Sequence, residues 1–157
     1  MADDIAAPVT LRLAQPSDAR AIHDLTHQAY AKWIEVAGRP PLPMTVDYDQ
    51  AVLAHRFDLL FEGETLAALI ETTAQGDNLL VVNVAVRPGF QGRGYGVRLL
   101  GLAEQLAAET GRSGLWLYTN RLFEANIQLY AALGYRVEYE ETLPRGVITH
   151  MSKTLKS

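Results

Sequence analysis

A nearly continuous apolar run, Leu79 to Val86, predicts a strand that is buried on both of its faces. Arg87-Pro88 ends this run, because proline lacks the N–H that a strand ladder needs and holds its predecessor extended. Beyond a glycine-rich turn, residues Val97 to Thr110 show the spacing of a helix. One face of that helix is predicted to pack on the sheet and carries Leu99, Leu102, Ala103 and Leu106.

Shorter alternating patterns predict the other strands of a mixed sheet. They cover Val9 to Leu13, Arg56 to Phe61, Leu66 to Thr73, Leu115 to Thr119, Tyr135 to Glu140 and Val147 to Leu155. The strand at Leu115 follows a helical crossover, so we expect it to lie parallel to the central strand, whereas its neighbours are joined as antiparallel hairpins. The prediction is therefore an α/β fold whose sheet is mostly antiparallel, contains one parallel pair and is flanked by helices.

Three further helices are expected. The first begins at an N-cap, Ser17 or Asp18, breaks near Tyr30 and ends at Gly38. After a proline-rich loop, Asp47 caps a short second helix. The last runs from Phe123 to Leu133, and its predicted core side consists of Ala125, Leu129, Ala132 and Leu133.

The turn Gln91-Gly92-Arg93-Gly94-Tyr95-Gly96 places three glycines where a helix begins. Uncovered N–H groups and the positive end of the helix dipole favour an anion there, so the turn predicts a phosphate or pyrophosphate cradle. A nucleotide-triphosphate loop would require Lys-Ser or Lys-Thr after the glycines, and none follows. A dinucleotide fingerprint would require an acid at the end of the next strand, which instead ends in Thr119-Asn120. A turn that merely links strand to helix does not need three glycines.

Gln91-x-x-Gly94-x-Gly96, preceded by Val-Ala-Val-x-Pro, resembles the pyrophosphate-binding motif of the GNAT superfamily, the acyl-CoA-dependent N-acetyltransferases. The resemblance continues through Leu115 to Asn120 and Glu124 to Tyr135. It is strong over the C-terminal half of the chain and loose over the N-terminal half. It implies one N-acetyltransferase domain over residues 1–157, with the sheet splayed at its parallel pair and acetyl-CoA as the acyl donor.

The resemblance also implies the donor site. Backbone groups of Val84, Ala85 and Val86 would pair with the pantetheine arm and polarise the acetyl carbonyl. The main chain of the turn would hold the pyrophosphate, at Gln91, Gly92, Arg93, Gly94, Tyr95 and Gly96; the side chain of Arg93 would either reach a phosphate or lie in solvent. On the last predicted helix, Asn126 and Tyr130 share a face. Asn126 would contact the cofactor arm, and Tyr130 would act as general acid toward the leaving sulfur.

The general base is less clearly indicated, because residues 79–86 contain no acid. Glu71 on the preceding strand is the best candidate, with His55 and Glu35 behind it. Glu71 is also compatible with a solvent-facing strand position, which the sequence pattern slightly favours. An amine deprotonated through water would need no dedicated base. The chain has no cysteine for an acyl-enzyme intermediate, so we expect direct attack in a ternary complex.

Candidate acceptor-pocket residues are aromatic or amide side chains near the predicted cleft: Tyr30, Trp33, Tyr48 and Asn83. For Trp33, ordinary core packing is the preferred interpretation. The expected acceptor is the primary amine of a small molecule. A protein N-terminus or lysine remains an alternative acceptor, and a catalytically silent acyl-CoA sensor remains an alternative function.

Composition changes this interpretation little. The 157 residues carry a net charge of −4, which offers no basic footprint for nucleic acid. The N-terminal residues contain no long apolar run, so we expect no signal peptide, no membrane anchor and a cytoplasmic location. His23 and His27 have zinc-like i, i+4 spacing, but an exposed helix shoulder is the preferred interpretation, and no metal is expected. A homodimer is compatible with the sequence.

Overall fold

The computed structural model describes residues 7–155 and is built on one seven-stranded sheet. In chain order the strands are β1 Val9–Leu13, β2 Arg56–Glu62, β3 Thr65–Gln75, β4 Asn78–Val86, β5 Gly114–Asn120, β6 Arg136–Leu143 and β7 Gly146–Thr154. They lie side by side in the order β1-β2-β3-β4-β5-β7-β6. Only β4 and β5 pair in parallel within these residues, and the other neighbours are antiparallel. The predicted mixed α/β fold is confirmed.

The helices are α1 Ala19–Tyr30, α2 Trp33–Ala37, α3 Tyr48–Ala54, α4 Tyr95–Glu109 and α5 Glu124–Ala132. The predicted break near Tyr30 separates α1 from α2. Asp47 caps α3 as expected, since its carboxylate accepts a hydrogen bond from the N–H of Asp49 at 3.0 Å. The α4 helix begins two residues before the predicted Val97, because Gly94 already serves as its N-cap. No helix within residues 7–155 is long and apolar enough to cross a membrane.

Helices cover the two faces of the sheet with separate apolar clusters. On one face, Ile22 and Leu25 of α1 pack with Phe57 and Leu69 of the sheet. On the other face, the buried side of α4 packs against β3, β4 and β5, and its members include Leu99, Leu100, Ala103 and Ala107. Burying a side chain of the size of leucine or phenylalanine stabilises a fold by about 1.5–3 kcal/mol. Both clusters therefore hold the central strands in place.

The predicted core side of α5 is largely wrong. Ala125 and Ala132 are exposed, and Leu129 is 39% exposed. Instead, Ile127 and Tyr130 pack against the core, with Leu133 at the end of the helix. Apolar residues are spread around this short helix, so its sequence contains no single stripe that could predict its orientation.

The parallel pair opens into a gap. Pairing between β4 and β5 runs from Asn78 opposite Gly114 to Val81 opposite Leu117, and then stops although both strands continue. The register between β3 and β4 shifts at the same point and leaves Val82 as an extra residue on β4. A bulge of this kind bends its strand away from a neighbour. The predicted splay therefore begins at Val82.

Candidate active site

A groove runs along the far half of β4 and over the start of α4. Its lining brings together nearly all the cofactor-binding residues predicted from the sequence: Val84, Ala85, Val86, Gln91, Gly92, Gly94, Tyr95, Gly96 and Asn126. Tyr130 of α5 and Tyr30 of α1 line the same groove. The groove therefore joins the strand, the glycine turn and α5 into one surface.

The glycine turn owes its shape to two left-handed residues. Gly92 has φ 82° and Gly94 has φ 80°, a conformation that other residues adopt only at a cost. Gly94 precedes the first turn of α4 and has no side chain that could cap it, so the N–H groups of that turn stay available to an anion. The side-chain amide of Gln91 donates to the carbonyl of Val86 at 3.3 Å and ties the turn to β4. This backbone suits a pyrophosphate.

The side chain of Arg93 does not line the groove. Its guanidinium binds the carboxylate of Glu62 at 2.5 and 2.7 Å and lies over the ring of Phe90 at 4.8 Å. The hydroxyl of Tyr95 donates to the same carboxylate. The hydrogen bonds from Arg93 and then Tyr95 hold the pKa of Glu62 below its ordinary value. The structure agrees better with the predicted exposed position of Arg93 than with one that reaches a phosphate. The Arg93 charge is nevertheless paired with Glu62 and is not free in solvent.

A second cavity, with a volume of about 160 Å³, adjoins the groove at Tyr30. The proline-rich loop, the end of β5 and the β6–β7 hairpin enclose it. Its lining consists of Tyr30, Ala37, Arg39, Pro40, Pro41, Leu42, Pro43, Val46, Tyr48, Glu71, Val82, Asn83, Tyr118, Thr119, Asn120, Phe123, Leu143, Arg145 and Ile148. Three of the four predicted acceptor residues, Tyr30, Tyr48 and Asn83, are among them. We refer to this space as the acceptor cavity.

Hydrogen bonds fix two aromatic side chains of the acceptor cavity. The hydroxyl of Tyr30 donates to the side-chain oxygen of Asn83 at 2.7 Å, and that of Tyr48 donates to the carbonyl of Pro43 at 2.7 Å. Burial raises the pKa of both tyrosines, so each hydroxyl stays protonated. The amide nitrogen of Asn83 is buried and has no hydrogen-bond partner among the described residues. It is a donor available to a ligand in the cavity.

Glu71 is buried, and the expectation that it faces solvent is wrong. Glu71 is only 3% exposed. On β3 it lies directly between Phe57 of β2 and Asn83 of β4, on the face of the sheet that α1 and α3 cover. His55 follows α3, and its Nδ1–H donates to the Glu71 carboxylate at 2.6 Å. Burial raises the pKa of Glu71, and the hydrogen bond and charge of His55 offset part of that rise. A buried carboxyl with a raised pKa in a cavity has the properties of a general base.

Tyr130 and Asn126 project into the groove from successive turns of α5. The ring of Tyr130 packs edge-on against Tyr135, with the centroids 5.9 Å apart. Burial raises the pKa of Tyr130 to about 12, so its hydroxyl can donate a proton throughout the neutral range. The groove thus contains a neutral acid.

Other sequence-derived candidates lie away from the acceptor cavity. Trp33, a predicted acceptor residue, instead lines the groove and stacks on Phe123 with a centroid distance of 4.5 Å. Glu35 is exposed on α2 and lines neither space. His23 and His27 are in contact as tilted rings with their centroids 3.9 Å apart, and residues 7–155 contain no cluster of three potential metal ligands.

The fold brings to the acceptor cavity several side chains that the sequence pattern did not indicate. Tyr118 extends from β5 where that strand leaves β4, and Phe123 precedes α5. Arg39 and Arg145 come from loops that are 106 positions apart in the chain numbering, and only the folded hairpin brings them to one cavity. No local pattern marks these residues. The His55–Glu71 pair likewise depends on the register of β2 against β3.

The model of the Acetyltransferase (GNAT) family matches residues 19–135, which is more than half of the chain. The chain belongs to this family, and we conclude that it is an N-acetyltransferase. The matched residues include all of the groove lining and all of the acceptor-cavity lining except the part that the β6–β7 hairpin supplies. No curated protein sequence matches the chain significantly.

Solved structures share the fold at low sequence identity. The PaiA N-acetyltransferase of Thermoplasma acidophilum, solved with coenzyme A, is 17% identical with a TM-score of 0.74, over 94% of this chain and 99% of that one. The ribosomal-protein-S18-alanine N-acetyltransferase of Escherichia coli is 21% identical with a TM-score of 0.74, over 96% of both chains. An acetyltransferase of Thermus thermophilus is 19% identical with a TM-score of 0.72, over 96% of this chain and 100% of that one.

Proposed function

We propose that this protein acetylates the primary amine of a small molecule by direct attack on acetyl-CoA in a ternary complex. The observation that carries the proposal is the buried Glu71 carboxyl in a partly enclosed cavity. At Tyr30 this cavity meets the groove along β4 and α4, which we call the donor groove. The prolines of the loop over the cavity limit its room to open. This partial enclosure favours a small acceptor over a peptide, whose chain would need a fully open channel.

The donor groove fits acetyl-CoA in its backbone chemistry. The N–H groups around Gly94 suit the pyrophosphate, and the free edge of β4 beyond Val82 suits the amide-containing pantetheine arm. Asn126 of α5 offers a side-chain amide in the same groove. When bound, acetyl-CoA supplies an acetyl group activated as a thioester.

Three residues, Glu71, Tyr130 and His55, can then carry out the proton transfers of the reaction. Glu71 accepts a proton from the acceptor ammonium, which leaves a neutral nitrogen able to form the new C–N bond. A backbone N–H at Val84 or Ala85 stabilises the negative charge that develops on the carbonyl oxygen. Tyr130 donates its proton to the sulfur as the C–S bond breaks, and the second amine proton, lost as the amide forms, returns to the tyrosinate. His55 holds Glu71 in place and lies one-third exposed in a separate surface depression, so it can pass a proton to solvent.

An acceptor panel tests the proposed function. The purified protein is incubated with acetyl-CoA and small amines, N-terminal peptides or lysine peptides, and CoA thiol and acetylated product are both measured. We expect release with small amines and little with peptides. Faster acetylation of peptides would overturn the small-molecule acceptor, and acetyl-CoA binding without release on any amine would favour the sensor.

Substituting Gly94 with alanine tests the predicted pyrophosphate site. An alanine at φ 80° costs about 1–2 kcal/mol, so the turn is expected to shift and CoA to bind about tenfold more weakly. The expected reduction is measured by titration calorimetry with CoA. Gly101→Ala is the matched control, because Gly101 lies in α4 and an added Cβ meets nothing within 4 Å. Equal CoA affinity in both variants would count against the turn as the pyrophosphate site.

A further inference from the structure

The charges around the acceptor cavity select among amines. We infer that the natural acceptor carries a carboxylate or phosphate, separated from its reactive amine by an apolar body. The inference rests on the proposed function and names the substrate class of the same cavity. Three features support it: one buried acid, apolar walls and two arginines from the loops that enclose the cavity.

The buried part of the cavity determines where the amine of the acceptor binds. Glu71 is the only carboxylate among the described lining residues, and it is buried. The unpartnered amide nitrogen of Asn83 lies on the adjacent strand, directly opposite Glu71. An ammonium group beside Glu71 would be the natural partner of this one buried acid. A second ammonium would find no other carboxylate in the lining.

The body of the ligand would contact apolar side chains. The proline-rich loop supplies several of them, and the strands and the segment before α5 supply the rest: Pro40, Pro41, Leu42, Val46, Phe123 and Ile148. Burying apolar surface against such walls is favourable, whereas a polyhydroxylated or polycationic body would lose hydration without compensation. Polyamines and aminoglycoside-like acceptors are therefore disfavoured.

The group that binds the acidic end of the ligand is the pair Arg39 and Arg145, which both line the cavity. Arg145 lies in the β6–β7 turn and donates through one nitrogen to the carbonyl of Pro40 at 3.0 Å, which holds its guanidinium against the loop. The other guanidinium donors remain for a ligand. Within residues 7–155 no carboxylate lies within 4.0 Å of either arginine. Two exposed guanidinium groups at one cavity attract a carboxylate or phosphate and repel a cation.

Four acceptors on one carbon frame test the inference. They are para-(aminoethyl)benzoic acid, tyramine phosphate, phenethylamine, and para-(aminomethyl)phenethylamine, which differ only in the group opposite the amine. We expect kcat/KM for at least one acidic acceptor to exceed that for phenethylamine by about tenfold or more, with the diamine lowest. The ranking of the two acids distinguishes a carboxylate from a phosphate ligand.

Charge variants then locate the effect. Arg145→Gln keeps a donor for Pro40 but removes the charge, and with Arg39→Gln it is expected to reduce the acid-to-neutral ratio of kcat/KM to about one. Arg39→Glu with Arg145→Glu is expected to place the diamine above the acids. Arg20→Glu on the exposed side of α1 is the control, and it should leave the ranking unchanged.

The outcomes separate this inference from the proposed function. If phenethylamine or the diamine is used as well as the acids, the inference is overturned while acetylation of a small amine stands. A preference for acids that survives in the double glutamine variant also overturns it. If none of the four acceptors supports CoA release, that result also counts against the inference. The wider acceptor panel then tests the proposed function independently.

Discussion

Replacing Tyr130 with phenylalanine is expected to lower kcat for acetyl transfer by about 100-fold or more while changing the KM for acetyl-CoA little. The hydroxyl is the proposed proton donor to the sulfur, and general acid catalysis contributes about 10²–10⁴-fold. The ring lines the groove and packs on Tyr135, and phenylalanine preserves both contacts. The loss should therefore appear in the chemical step, measured as steady-state CoA release at saturating acceptor.

Tyr135→Phe is the matched control for this prediction. Tyr135 is buried beside Tyr130, and its hydroxyl has no hydrogen-bond partner among the described residues. Removing it should leave kcat unchanged and the stability equal or slightly higher, because a buried unsatisfied hydroxyl is lost. Since burial raises the pKa of Tyr130 to about 12, the unmodified protein should show no alkaline loss of kcat from this group between pH 7 and about pH 10. If Tyr130→Phe retains full kcat, Tyr130 is not the general acid.

Much of the fold could be predicted because its signals are local. Hydrophobic runs and turn residues mark the strands, and the helix between β4 and β5 requires their parallel pairing. The orientation of α5 could not be predicted in this way. Its apolar residues surround the helix, and only packing against the sheet selects Ile127 and Tyr130 as its inner side.

The donor groove and the acceptor cavity also differ in how far local sequence signals could predict them. The donor groove depends on one contiguous stretch and one helix face, and the residues that the sequence indicated there do converge, apart from the side chain of Arg93. The acceptor cavity depends on register and loop closure between distant segments. The burial of Glu71 results from its place opposite Asn83 and from the position of His55 after α3, which no local pattern contains.

Replacing Glu71 with glutamine is expected to lower kcat/KM at neutral pH by about 100-fold, because the acceptor ammonium loses its proposed base. The deficit should narrow as the pH approaches the amine pKa of about 10, where solution supplies the deprotonated amine. CoA affinity should be unchanged, since Glu71 lines the acceptor cavity and not the donor groove. The pH profile of kcat/KM for both proteins measures the effect.

Although Glu71→Gln should lower activity, it should make the stability of the fold less sensitive to rising pH. Burial raises the pKa of Glu71 above its ordinary value of 4.5, so the folded protein binds this proton more tightly than the unfolded chain does. Stability then falls as the pH rises from that value through the folded-state pKa. Glutamine cannot ionise, and the melting temperature of Glu71→Gln should decline less over this window. Thermal unfolding at a series of pH values measures the difference.

His55→Ala distinguishes a base from a structural carboxyl. Burial raises the pKa of Glu71, and His55 opposes that rise through its hydrogen bond and its charge. Without His55 the pKa of Glu71 should rise further, so a higher pH is needed to ionise the base, and the acidic limb of kcat/KM should move to higher pH. A merely structural Glu71 would lower activity without moving that limb. Full activity of Glu71→Gln at neutral pH would instead show that the acceptor amine loses its proton through water, with no dedicated base.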